Sequence, residues 1–455
     1  MSLLITLIIF SILIIVHEFG HFIAARYSGV KVEKFAIGFG PVIIKKKFKE
    51  TDFLICAFPL GGYVKMAGDS RQEKKGLADE FLSKPAGIKM RIVFAGPLFN
   101  YLLAMVIFWI IAFMGFPYQD AIVGEVLKGY PAQTCGLEIG DKILQVNGEK
   151  VSTWDQMRKI IRRSSNSVSM IIERGKDIKP VIVPLREEEM ADDFGREKSV
   201  SAIGILPFQE PVIGSVLAGY PAEEAGLEKG DIILKVDGKK IKSWAQAAGM
   251  IHQATGQVAL EISRSGNKKD FKVATRTEKI KGSSGNKEQM SVIGISPLVS
   301  IKLIKYGMPE AFIKGTEALL DLTSRVARGF WYMLTGSISF REGAAGPIGI
   351  FYITSESVKY GILAVLQLMA ALNISLAVIN LFPVPILDGG HIAVFLTEKI
   401  RGKPLSERAE NILSRLGLVI IGSLVIFVLY NDTIKYGPQI GKKIFKNNSS
   451  GTITK

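Results

Sequence analysis

His17-Glu18-Phe19-Gly20-His21 places two imidazoles and a carboxylate inside the apolar run from Ser2 to Ala25. On a helix, positions 17 and 21 lie one turn apart on one face, so both rings can reach a single metal ion, and Glu18 stands beside them to carry a proton. The spacing is that of a zinc-ligand pair, and the chemistry it points to is metal-assisted hydrolysis. The setting strengthens this reading. An ionisable group at bilayer depth is costly and faces a protein interior or a water cavity, and a purely structural position would hold an aliphatic side chain instead.

Two histidines do not complete a catalytic zinc site, which takes three protein ligands and keeps one position open. The chain has four histidines. His252 falls in a soluble repeat, and His391 follows Asn380-Leu-Phe-Pro383-Val-Pro385-Ile-Leu-Asp388-Gly389-Gly390. Two prolines and two glycines break a hydrophobic span there. The freed backbone groups are tolerated at such depth only where the chain is buried or lines a wet cavity. A carboxylate set in that break is the natural third ligand.

The elements that must position these groups are mostly membrane helices. A chain of 455 residues, 48% hydrophobic, is too apolar and too segmented for one soluble domain. Four stretches can cross a hydrocarbon core of about 30 Å: Ser2 to Ala25, Ile92 to Phe116, Ile362 to Phe382 and Ile412 to Tyr430. The expected order is a first span at 1–26, a loop at 27–90, a second span at 91–116, soluble repeats at 117–207 and 208–298, and an amphipathic segment at 299–360. A third span at 361–382, the broken motif with a loop at 383–411, a fourth span at 412–430 and a tail at 431–455 complete it. Arg26 to Arg91 carries 14 Lys/Arg against seven Asp/Glu, so the positive-inside rule makes that loop cytoplasmic and puts the N-terminus and the repeats outside. The first span has no basic start and its removal would discard the metal motif, so it reads as retained. Much of the net charge of +15 sits in this membrane-proximal loop, which suits anionic lipid headgroups and not nucleic acid. The two cysteines, Cys56 and Cys135, fall on opposite sides of the membrane, so no disulfide between them is expected.

Between the second and third spans the chain repeats itself at an offset of 90 residues. Gly124 to Asp141 matches Gly214 to Asp231, Asn147-Gly148 matches Asp237-Gly238, and Trp154 matches Trp244. Each copy reads as strand, Pro-Ala helical turn, Gly-Asp corner, strand, hairpin turn and helix. This pattern resembles the PDZ domain of bacterial proteases. The resemblance implies a peptide groove bordered by Ile203-Gly204-Ile205 in one copy and Ile293-Gly294-Ile295 in the other. Because this strand closes each repeat, the domains read as circularly permuted. Arg186 to Lys198 and Lys279 to Gln289, charged or rich in Gly and Ser, read as exposed loops. Ile301 to Phe340 is amphipathic and reads as a helix on the membrane surface.

HEFGH in the first span, N-x-x-P-x-P-x-L-D-G at Asn380 to Gly389 and the repeat pair between them together resemble the site-2 proteases, intramembrane zinc metalloproteases, and most closely the bacterial branch that regulates sigma-E. The resemblance implies that His17, His21 and Asp388 bind Zn2+, that Glu18 is the catalytic base and that His391 is structural. Gly96-Pro97-Leu98-Phe99-Asn100 resembles a motif that packs near the family's active site, where Asn100 would hydrogen-bond a neighbour or the substrate. Asp52 to Met66, around Gly61 and Gly62, resembles the family's membrane-reentrant β-loop. Gly61, Gly62 and Asn380 then become substrate-positioning candidates. The fold expected is a polytopic α-helical membrane protein with four transmembrane helices, a reentrant β-loop and two permuted PDZ domains of α+β type. The expected location is a bacterial inner membrane. The implied substrates are single-span membrane proteins, such as an anti-sigma factor after a first periplasmic cut, and remnant signal peptides. Two other readings compete: a metal transporter using the same three ligands, and a PDZ scaffold with a vestigial site. The first would need ligands along a path and the second the loss of Glu18 or Asp388, and the chain has neither.

Overall fold

The computed structural model describes residues 2–449 apart from 193, 195, 282–286 and 299–301. It divides into two compact units, Met1–Gly115 with Lys305–Lys455, and Phe116–Ile304. Among the described residues, four helices are long and apolar enough to cross a membrane: Leu3–Tyr27, Ala86–Met114, Ile362–Asn380 and Glu407–Gly437.

The first unit opens with helix α1 (Ser2–Tyr27), whose unbroken aliphatic run leaves nothing to stop it before Ser28 and Gly29. Strands β1 (Val32–Phe48) and β2 (Thr51–Met66) follow. Both are too long to stay flat and each folds back on itself. Residues 34–37 pair on one side with 62–65 and on the other with 52–55, while 42–48 pair with 51–56. The outcome is four ribbons in the order 62–66, 32–37, 52–56, 42–48, with 62–66 at one edge. The turn end carries exposed Phe39, Val42, Ile43, Ile44 and Phe58, and Lys45, Lys46, Lys47 and Lys49 follow. Helix α2 (Ala86–Met114) then packs along α1 with Pro97 inside it.

The second unit holds the two repeats. In the first, helices α3 (Pro131–Thr134) and α4 (Trp154–Arg163) accompany a sheet ordered Glu149–Lys150, Lys142–Val146, Ser167–Arg174, Asp177–Pro184. In the second, α5 (Pro221–Glu224) and α6 (Trp244–Gln253) accompany the equivalent sheet. The cores obey the 90-residue offset position by position. Ile143, Met157, Val168, Met170, Ile172 and Ile203 fill one, and Ile233, Ala247, Val258, Leu260, Ile262 and Ile293 fill the other. Each such aliphatic side chain, fully buried, contributes about 1.5–3 kcal/mol. Thr153 and Ser243 cap α4 and α6 by accepting from the N–H three residues on, worth about 1 kcal/mol each. The Gly-Asp corner is pinned in the same way in both copies: Arg174 reaches Asp141 at 2.6 Å, and Arg264 reaches Asp231 at 2.7 Å. Burial alone would raise the Asp231 pKa, but the Arg264 guanidinium and the Glu228 N–H hold it below the usual carboxylate range. The last strand of each copy pairs with the first, Ile205–Pro207 with Val123–Val126 and Ile295–Pro297 with Ile213–Val216.

The expected loops are in part strands, with residues 193, 195 and 282–286 lying outside the described residues. Arg186–Ala191 pairs with Glu197–Ala202 over six residues, and Arg276–Lys281 pairs with Lys287–Val292. Charge made these segments read as solvent-facing turns, but a two-stranded hairpin with both faces wet has no apolar alternation to display.

Back in the first unit, the amphipathic segment forms α7 (Met308–Leu334), which packs against α2. It runs antiparallel along α2. Phe312 meets Trp109 edge-on at 4.8 Å, Trp109 Nε1 donates to Thr316 Oγ1 at 3.1 Å, and Thr323 Oγ1 donates to the Tyr101 hydroxyl at 3.3 Å. Small and branched residues, Ala311, Gly315 and Leu319, form the buried stripe that allows this approach. Its charged residues fall on another face, where Lys314 pairs with Glu317 and Arg325 with Asp321. A short turn, α8 (Phe340–Gly343), precedes α9 (Pro347–Lys359) and α10 (Ile362–Asn380). Where a plain loop is expected after the broken motif, residues 388–401 form α11 (Asp388–Arg401), and α12 (Glu407–Ser449) continues into the expected tail as far as the described residues go. Asn431 and Asp432, which read as the polar end of a span, are buried. Asp432 accepts the Gly346 and Gly349 N–H groups at 3.1 and 2.7 Å and so caps α9.

Candidate metal centre

The centre is built from the middle of α1, the break after α10 and the first turn of α11. Asn380 ends α10, half-buried, and the chain between it and Asp388 is irregular. Ile386 sits at φ +85°, a left-handed conformation that a β-branched residue adopts only under constraint. Gly389 and Gly390 permit the reversal: a Cβ on either would lie 2.2–2.3 Å from the carbonyl oxygens of Leu381, Phe382 or Val384. The fold-back delivers Asp388 at the first residue of α11, where the helix N-terminus favours a carboxylate.

His17 Nε2 stands 3.2 Å from Asp388 Oδ2, His21 Nε2 stands 3.6 Å from Asp388 Oδ1, and the two Nε2 atoms are 3.2 Å apart. Ligands on a tetrahedral zinc at 2.0–2.1 Å are about 3.3 Å from one another. Among the described residues these three are the set whose donor atoms converge, and His391 is outside it. Asp388 Oδ2 is buried with no hydrogen-bond partner. Two imidazole nitrogens and an orphaned carboxylate oxygen facing one point make a poor apo arrangement and a good cation site, so the residues fit zinc.

The walls are specific. Gly20 and Gly96 mark the crossing of α1 and α2. A Cβ on Gly96 would sit 2.4 Å from His21 Nε2 and 2.9 Å from His17 Cε1, so the bare backbone there is the floor under both rings. The Ile92 carbonyl accepts from His21 Nδ1 at 2.9 Å. The His17 Nδ1 lies 3.2 Å from the Asn100 amide. Asn100 is 0% exposed, with its amide on His17. Glu18, next to His17 but outside the ligand set, lies near the Val64 backbone N–H, and a Cβ on Gly62 would lie 3.4 Å from Glu18 Cγ. The edge ribbon 62–66 therefore runs directly past Glu18.

Not every candidate converges. Gly61, at φ +119°, turns the chain against the Phe39 ring. The repeat residues belong to the second unit. There Ile203 and Ile293 are core side chains at 2% and 1% exposure. The Gly204 and Gly294 carbonyls accept from Leu127 and Leu217, beneath the rings of Tyr130 and Tyr220. Only Ile205 and Ile295 start half-buried strands. Sequence reasoning missed the Ile92 carbonyl, the Val64 N–H and the role of Gly96 as ring floor. A glycine-proline pair inside an apolar span was the available signal for the last.

A model of peptidase family M50 matches residues 5–424. The chain belongs to peptidase family M50. It is 31% identical over 449 residues to the regulator of sigma E protease of Haemophilus influenzae, covering 94% of this chain and 98% of that protein. Over 442 residues it is 31% identical to the regulator of sigma-E protease RseP of Escherichia coli, 92% and 96% being covered. A Pasteurella multocida protein whose name includes the words zinc metalloprotease is 31% identical over 445 residues, covering 94% and 98%. Among solved structures, the PDZ domain of an SdrC-like protein from Listeria monocytogenes is similar at 21% identity, over 20% of this chain and 88% of that one, with a TM-score of 0.16. As an M50 member with four apolar helices, the chain is a membrane-bound zinc metalloprotease of the site-2 type.

Membership turns the ring floor into a prediction. Gly96→Ala forces a methyl group into both imidazoles, and overpacking of this kind costs about 1–3 kcal/mol. Zinc binding by the purified variant, measured by chelator competition, is expected to weaken by about one to two powers of ten. Unchanged affinity would remove Gly96 from the site.

Proposed function

We propose that this protease cuts substrates within the membrane, with His17, His21 and Asp388 holding zinc and Glu18 as catalytic base. The observation that carries the reading is the convergence of three ligand atoms, two from the apolar helix α1 and one from the first turn of α11 after the break, next to a carboxylate they do not use. Zinc held there supplies Lewis-acid polarisation of the scissile carbonyl and lowers the pKa of a water molecule. Glu18 accepts the proton of the attacking water and returns it to the leaving amine. Asn380, at the rim of the break, donates a hydrogen bond to the substrate backbone.

A helical substrate span has its carbonyls tied up in internal hydrogen bonds and must be opened before one can be polarised. The edge ribbon 62–66 pairs on one side only among the described residues, and it passes Glu18. It is suited to take the opened segment as an added strand. The apolar turn end of β1 and β2, with its lysine collar, supports the reentrant reading, since the lysines can lie at headgroup level while the tip enters the bilayer. Gly62→Pro should reduce cleavage of a helical substrate more than cleavage of one carrying helix-breaking residues. Equal loss with both would count against strand addition.

The repeats are read as circularly permuted PDZ domains, supported by the closure of each last strand onto its first. The protein sits in a bacterial inner membrane, the first helix entering from the periplasm and the PDZ pair outside. Substrates are single-span proteins, an anti-sigma factor after a periplasmic cut or remnant signal peptides. The test is incubation of the purified protein with a model single-span peptide, with and without a zinc chelator, and mapping of the cut by mass spectrometry. A chelator-sensitive cut inside the apolar segment is expected. Cleavage confined to soluble flanks, or unaffected by the chelator, would overturn the intramembrane reading.

A further inference from the structure

We propose that Asn100 is a positioning residue for the metal centre: its side-chain oxygen holds His17 with the proton on Nδ1, leaving the Nε2 lone pair free for the metal. The inference rests on the zinc reading above and concerns how the chain sets the state of one ligand.

An imidazole can give a nitrogen to a metal only when its other nitrogen carries the proton, and the partner of that other nitrogen decides which state is adopted. The two histidines solve this differently. His21 Nδ1 faces the Ile92 carbonyl at 2.9 Å. A carbonyl only accepts, so Nδ1 of His21 must donate, and no substitution at position 92 removes that oxygen. His17 has a side chain in the same place, the Asn100 amide, 3.2 Å from Nδ1.

An amide can act either way. If Nδ2 donates to the ring, the proton moves to His17 Nε2, 3.2 Å from His21 Nε2 and 3.2 Å from Asp388 Oδ2, and that nitrogen is lost to the metal. With Nδ2 toward the ring, Asn100 Oδ1 is buried and has no hydrogen-bond partner. A half-turn of the amide removes both faults: Oδ1 accepts the Nδ1–H of His17, and Nε2 is released. His17 is 9% and Asn100 0% exposed, so bulk water does not stand in for the missing acceptor.

Asn100 lies one turn beyond Gly96 on α2. The two act on the same rings from the same face, Gly96 by giving them room and Asn100 by fixing the proton of one. Asparagine also suits the depth, since an ionised acceptor in an apolar helix would be costly before the metal arrives.

The experiment measures zinc affinity of the purified full chain by competition with a chromophoric chelator, for wild type, Asn100→Leu, Asn100→Asp and Asp388→Ala. Loss of such an outer partner weakens metal binding by roughly 10–100-fold. Asn100→Leu, which keeps the volume and removes the acceptor, is expected to fall in that range. Asn100→Asp, which can only accept, is expected to bind at least as tightly as wild type. A residue that merely filled space would give the reverse order, with the leucine variant tight and the charged variant weak, and that result overturns the proposal. Should the leucine variant fail to fold, an aspartate variant weaker than wild type is sufficient to overturn it. Nitrogen-15 NMR of labelled histidine in the metal-loaded Asn100→Asp protein gives a readout independent of turnover: Nδ1 of His17 must be protonated. Wild-type affinity in Asp388→Ala would instead show that the ligand set itself is wrong.

Discussion

Glu18→Gln is expected to keep zinc at wild-type stoichiometry while lowering the cleavage rate by about 10²–10⁴-fold, the usual contribution of a positioned acid–base group. The separation of the two effects follows from the geometry. Glu18 is not among the three converging donors, so its charge is not needed to hold the ion. Its carboxylate instead lies beside the edge ribbon, near the Val64 N–H and Gly62. Glutamine preserves the volume, but it cannot take a proton from water. The measurement pairs metal analysis of the purified variant with single-turnover cleavage of the model peptide. Cleavage at a wild-type rate would require another base, and loss of zinc would mean that Glu18 is a ligand after all.

What the sequence reveals about this protein is what is local or repeated. The i, i+4 histidines in an apolar run specify one helix face whatever surrounds them, and Asp388 is marked by the prolines and glycines that break the span around it. The repeat is legible because the offset preserves most core positions, from Ile143 and Ile233 to Ile203 and Ile293. What is hidden depends on partners far along the chain. The pattern of α7 shows two faces, but a helix that buries its apolar side in lipid and one that buries it against α2 look alike. The small stripe Ala311, Gly315 is the one local hint. Asn431 and Asp432 look like the end of a span because their partners, the Arg341 carbonyl and the N–H groups of Gly346 and Gly349, lie more than 80 residues away. The folding of β1 and β2 into four ribbons is similarly invisible, since a bent strand and two strands give the same alternation.

Asp388→Ala is expected to have the opposite signature from Glu18→Gln, losing zinc and cleavage together while sparing the apo fold. Two histidines alone fall short of the three ligands a catalytic zinc site uses, so affinity should fall by more than the roughly 100-fold that loss of an outer partner produces. The fold is spared because Asp388 Oδ2 makes no hydrogen bond and the turn around the residue is held by Gly389, Gly390 and backbone contacts to Leu387. Alanine there also removes a buried carboxylate oxygen that has no hydrogen-bond donor in the metal-free state. Thermal unfolding should therefore show it directly. Zinc at about 1,000 times its Kd stabilises the wild type by about 4 kcal/mol, seen as a rise in Tm. The variant should start at an apo Tm no lower than wild type and show no rise at that zinc concentration. A variant that still gains stability from zinc would place the third ligand elsewhere, with His391, three residues along α11, the first alternative to examine. A transporter reading is separated by the same pair of variants, because ion movement has no use for a base that binds no metal. Glu18→Gln would leave flux through such a site intact, whereas here it removes the reaction and leaves the ion in place.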